Sequence, residues 1–70
     1  MQDEMNRLTR REHQVAALAA AGLQDKEIAL RLGIALGTAK LHLHNIYAKL
    51  GVGSRVKLTV AWMRTNGKHE

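Results

Sequence analysis

Asp25-Lys26-Glu27-Ile28-Ala29-Leu30-Arg31-Leu32, then Gly33-Ile34-Ala35, then Leu36-Gly37-Thr38-Ala39-Lys40-Leu41-His42-Leu43-His44-Asn45-Ile46-Tyr47-Ala48-Lys49-Leu50, is the stretch on which the fold turns. Ile28, Ala29 and Leu32 recur at helical spacing, Asp25 and Glu27 stand where the positive end of a helix falls, and Gly33 supplies a stop. A turn of about three residues, Gly33-Ile34-Ala35, leads into a longer helix and brings it across at the steep angle of a helix-turn-helix unit. At about 100° per residue, Ala39, His42, Leu43, Ile46 and Leu50 gather on one side and are expected in the core. Lys40, Leu41, His44 and Ala48 fall opposite, with Thr38, Asn45 and Lys49 along one flank. A face of small, basic and hydrogen-bonding side chains suits a groove lined by phosphates and base edges.

Outward from this unit, Thr9-Arg10-Arg11-Glu12 reads as a capping box opening an earlier helix, with Val15, Leu18 and Ala19 as its buried stripe and Gly22 as its stop. On the other side Gly51-Val52-Gly53 breaks the chain and Ser54 caps a last helix. The expectation is an all-α fold, a four-helix bundle with helices near 9–21, 25–32, 36–50 and 54–64. The ordered domain is 8–64, and 1–7 and 65–70, which lack an apolar period, read as tails or linker. The last helix carries two apolar stripes. Leu58, Ala61 and Trp62 serve the core, whereas Val56, Val60 and Met63 form an association surface, are wrapped by the domain, or are left singly exposed as scattered apolar residues often are.

Composition bounds the function. At 70 residues the chain makes one domain, and proline and phenylalanine are absent while Ala and Leu dominate, which favours helices. It has no cysteine, so disulfides and thiolate metal sites are excluded, and no apolar run approaches the roughly 20 residues of a bilayer span. A soluble, cytoplasmic protein is expected, with no cofactor. The net charge of +5 is unevenly placed: residues 28–69 contain no acid but hold Arg31, Lys40, Lys49, Arg55, Lys57, Arg64 and Lys68. Such a half is either a solvated basic surface or a surface for a polyanion, of which nucleic acid is the commonest.

Leu8-Thr9-x-Arg11-Glu12, Ala20-x-Gly22, Lys26-Glu27-Ile28-Ala29, Leu32-x-Ile34, Thr38-x-Lys40-x-His42, Asn45-Ile46-Tyr47-x-Lys49-Leu50-Gly51-Val52 and Ser54-Arg55 together resemble the LuxR-type (GerE-like) helix-turn-helix domain over nearly all of 8–64. The resemblance implies the DNA-binding output domain of a bacterial transcriptional regulator, as in response regulators and quorum-sensing receptors. Its third helix would read double-stranded DNA and its fourth would pair subunits over an inverted repeat. By position it implies base contacts from Lys40, Leu41 and His44, phosphate contacts from Lys26, Thr38, Asn45 and Lys49, and a homodimer interface at Val56, Val60 and Met63. It also implies a nucleoid-associated protein, either with a sensory or receiver domain upstream in a longer chain or as a short free-standing regulator. Lys26 has the alternative of pairing with a nearby carboxylate, and Tyr47 of stacking, hydrogen bonding or shielding the helix edge.

The chain departs from that pattern at Gln24 and Ala35, where the family places Ser, at Gly37, and at Ala39, where it prefers Val. Lost hydroxyl caps cost about 1 kcal/mol each, so the third helix is expected to fray at its start. Other functions compete poorly. His42 and His44 point about 200° apart on a helix and cannot chelate together. No acid, base and nucleophile converge as an enzyme requires. RNA binding has only Tyr47 and Trp62 for base stacking. The runner-up is a protein-interaction module that uses the second stripe of the last helix.

Overall fold

Thr9 Oγ1 accepts from the Glu12 amide at 3.1 Å and Glu12 Oε1 accepts from the Thr9 amide at 3.0 Å, so the capping box opens α1, Arg10–Ala20, in the computed structural model, which describes residues 4–66. The helices α2, Asp25–Leu32, α3, Leu36–Leu50, and α4, Arg55–Asn66, follow, and the described residues contain no strand. Gly33 and Gly51, at φ of +68° and +67°, end α2 and α3 in the left-handed conformation that costs L side chains energy. The turn back after each is fixed by an amide, Ile34 to the Ala29 carbonyl and Val52 to the Tyr47 carbonyl, both at 3.0 Å. The side chains of Ile34 and Val52 then pack against the core.

The central helix is α1, which packs against α2, α3 and α4, while α2 and α3 pack against each other as the helix-turn-helix unit. The core joins Val15, Ala16 and Ala19 of α1 to Ile28 and Ala29 of α2, Ala39, Leu43 and Ile46 of α3, and Leu58 of α4. Four of these are alanines, which let helix axes approach closely and leave Ile28, Ile46, Leu58 and Val15 to fill the volume. His42 and Leu50, expected inside with the other apolar side of α3, are only half-buried, His42 at the edge of the buried arc and Leu50 as the last residue of the helix.

Helical structure extends into both expected tails. Glu4–Arg7 forms a 3₁₀ turn that rests on α3 and α4, with Met5 4% exposed. One apolar side chain among polar neighbours carries no period, so its burial is visible only in three dimensions. At the other end α4 continues through Thr65, whose hydroxyl donates to the Ala61 carbonyl at 3.1 Å. The remaining parts of the expected tails, 1–3 and 67–70, lie outside the described residues.

Candidate nucleic-acid interface

The core side of α3 decides what its other side can do. With Ala39, Leu43 and Ile46 buried, Thr38, Lys40, Leu41, His44 and Ala48 are left exposed on the outward side, and Leu41 is 56% exposed. No acid occurs on α3. Lys26, at the start of α2, is also exposed and lines with Lys40 an open cleft of about 600 Å³ between the beginnings of α2, α3 and α4. Lys26 has no ion pair among the described residues, so the alternative of a carboxylate partner is not realised. This side therefore presents two ammonium groups, an imidazole, a hydroxyl and a leucine side chain.

The start of α3 has no side-chain cap: Ala35 occupies the capping position and has no side-chain acceptor for the first amides. In α2 the other half of the box survives, because Glu27 Oε1 accepts from the Gln24 amide at 2.8 Å. Ser54 caps α4 as expected, its hydroxyl accepting from the Lys57 amide at 3.2 Å.

The structure separates the remaining flank residues from the exposed strip. Asn45 is half-buried, and Lys49 Nζ lies 2.7 Å from Glu12 Oε1, a carboxylate with a side chain only 6% exposed. Burial by itself disfavours the charged form of Glu12. The hydrogen bond from Lys49, the Thr9 amide and the Lys49 charge outweigh it and hold the carboxyl below its ordinary value. Sequence reasoning identified Glu12 as a cap but missed this pair, and it also missed Arg55, whose guanidinium donates to the Leu23 carbonyl and lies 2.7 Å from Asp25 Oδ1. The available signal was that Glu12, Lys49 and Arg55 are charged positions of one motif set without partners at helical spacing.

On α4 the two apolar stripes are physically distinct. Leu58 and Ala61 are buried and Trp62 is half-buried beside His13, with ring centroids 4.8 Å apart, whereas Val56, Val60 and Met63 are 71%, 49% and 62% exposed. The second stripe does not fold back onto the domain.

The family model of the bacterial regulatory proteins of the luxR type, GerE, matches residues 6–62. The chain belongs to the luxR family. Membership makes it a helix-turn-helix domain of transcription regulation that binds DNA, and not an enzyme. Among its luxR-family relatives, a protein of Aeromonas salmonicida described as an HTH-type transcriptional regulator is 53% identical over 53 residues, which is 76% of this chain and 27% of the relative. The nitrate/nitrite response regulator protein NarP of Escherichia coli is 39% identical over 66 residues, 94% of this chain and 31% of NarP. The transcriptional regulatory protein UhpA of the same organism is 47% identical over 51 residues, 73% of this chain and 26% of UhpA. The luxR-family chain thus spans between 26% and 31% of the length of these relatives. Among its described residues, no helix is long and apolar enough to cross a membrane.

Proposed function

We propose that α3 lies in the major groove of double-stranded DNA and reads sequence there, with Lys40, Leu41 and His44 on base edges. Lysine and histidine donors match the acceptors of guanine, and an apolar side chain matches the thymine methyl. Thr38, Lys26, Asn45 and Lys49 are the proposed phosphate contacts, of which Lys26 and Thr38 are open to the backbone and Lys49 would have to leave or share Glu12. The observation that carries the reading is the exposed, acid-free strip of α3 directly opposite its buried one.

Two copies pair through Val56, Val60 and Met63, so that two recognition helices meet successive major grooves about 34 Å apart on an inverted repeat. The exposure of that stripe supports this reading. In this reading 8–64 is the output domain of a longer cytoplasmic, nucleoid-associated regulator with a sensory or receiver domain upstream.

Amide NMR titration with a short random-sequence duplex at low salt tests the proposal. Shifts concentrate in 38–49 and around Lys26, and Lys40→Ala with His44→Ala abolishes binding while leaving the fold intact. Shifts spread over Lys57 and Arg64 instead would make the charge generic. The α4 stripe would then be a surface for another protein, and the double variant would leave that binding untouched.

A further inference from the structure

We propose that the Glu4–Arg7 turn sets the position of the DNA-reading helix from its C-terminal end, with Arg7 and Met5 as positioning residues. The proposal rests on the reading of α3 as the helix that enters the groove. The last carbonyls of a helix have no partner within it and must find one outside. At the end of α3 the Gly51 amide turns back to Ala48 and Tyr47 and the Val52 amide to Tyr47, which leaves the Lys49 and Leu50 carbonyls over. Arg7 Nη1 donates to the Lys49 carbonyl at 3.2 Å, placing a cation at the negative end of the helix. The Lys49 side chain is taken at the same time by Glu12 of α1. One residue of α3 is therefore held twice by groups from other parts of the chain.

Met5 anchors the donor. It is 4% exposed, within a turn that touches both α3 and α4. It also lies just outside the residues that the family model matches, which begin at 6. The opposite end of α3 is held by the packing of Ala39 and the contact with α2 but by no side-chain cap, since Ala35 offers none and Gly37 follows in the first turn. Lys40 stands about 13 Å along the helix from Lys49, so a tilt of about 5° at the anchored end moves it by about 1 Å. Hydrogen bonds to base edges are made over distances that do not tolerate such a shift.

The test compares the parent chain with Arg7→Ala and Met5→Ser, titrated with the duplex that the parent chain binds tightest out of a randomised pool, over a salt series, alongside circular dichroism and amide exchange. Positioning predicts affinity lower by roughly threefold to tenfold, the size of one lost hydrogen bond. It also predicts an unchanged dependence on salt, because no phosphate contact is removed. Exchange at Lys49 and Leu50 quickens, and helix content is retained.

Parental affinity in Arg7→Ala overturns the inference. So does a salt slope lowered by about 1, which would make Arg7 a phosphate ligand instead. Should Met5→Ser fail to fold, Arg7→Ala, at an exposed side chain, decides alone. A parent chain that binds no duplex of the pool overturns the DNA reading and this inference with it. A parent that binds while Arg7→Ala binds equally well overturns this inference only.

Discussion

Lys49 Nζ on α3 and Glu12 Oε1 on α1 stand 2.7 Å apart, and the same oxygen accepts the Thr9 amide at 3.0 Å. A helix cap, an ion pair and the seating of α3 on the central helix α1 thus meet at one carboxylate.

Glu12→Gln is expected to lower stability at neutral pH by about 1–2 kcal/mol, less than a fully buried pair would lose, because the Lys49 side chain keeps 37% of its exposure. The folded carboxyl titrates below its ordinary value of 4.5. Its stabilisation is therefore complete above that value and lost as pH falls through the lower folded one. Urea midpoints of the parent chain should decline over that acidic interval, and Glu12→Gln should lose this part of the decline. Identical profiles for the two would show that the pair adds nothing.

Gly37 and Gly51 are expected to respond oppositely to alanine. Gly37 lies in the first turn of α3 with open space where a Cβ would stand, so Gly37→Ala stabilises by about 0.5–1 kcal/mol. Gly51, at φ +67°, ends the same helix in a conformation alanine adopts only with strain, and Gly51→Ala costs about 1–2 kcal/mol. Thermal unfolding separates the two, at about 4–8 °C per kcal/mol for a domain of this size.

A hydroxyl at residue 35 should repair the start of α3. In the parent chain, amides 36–38 are expected to exchange faster than Ile46. Ala35→Ser slows them and adds about 1 kcal/mol. Equal exchange at both places in the parent would mean that the absent cap has no consequence.

The two stripes of α4 should separate stability from association. Leu58 is fully buried, so Leu58→Ala costs about 2–5 kcal/mol in urea unfolding. Val60 is 49% exposed, and Val60→Ser changes monomer stability by about 0.5 kcal/mol or less. On an inverted-repeat duplex the parent sediments as two chains per duplex, and Val56→Ser with Val60→Ser reduces this to one. A parent that remains monomeric with and without the duplex would refute pairing through α4.

Arg55→Lys should not substitute for the parent residue. The guanidinium reaches the Leu23 carbonyl and Asp25 together, a fork that a single ammonium does not reproduce. A loss of about 1 kcal/mol is expected at both Arg55→Lys and Arg55→Met. Rescue by lysine would mean that charge alone matters.

What the amino-acid order determined by itself was local. The spacing of Val15, Ile28, Ala39, Leu43, Ile46 and Leu58 marked the buried faces, Thr9 and Ser54 the starts of helices, and Gly33 and Gly51 their ends. These signals act within one or two turns, and once the inward side of α3 is known, the outward side bearing Lys40, Leu41 and His44 follows from the period of the helix. Tertiary structure alone decided which charges are spent. Lys49 and Lys40 look alike along the chain, but packing α3 across α1 brings Lys49 to Glu12 and leaves Lys40 exposed. It likewise seated Met5 and set Arg7 on the Lys49 carbonyl. Each of those contacts joins residues far apart in sequence, and their partners exist only after the hydrophobic faces have fixed how the helices cross.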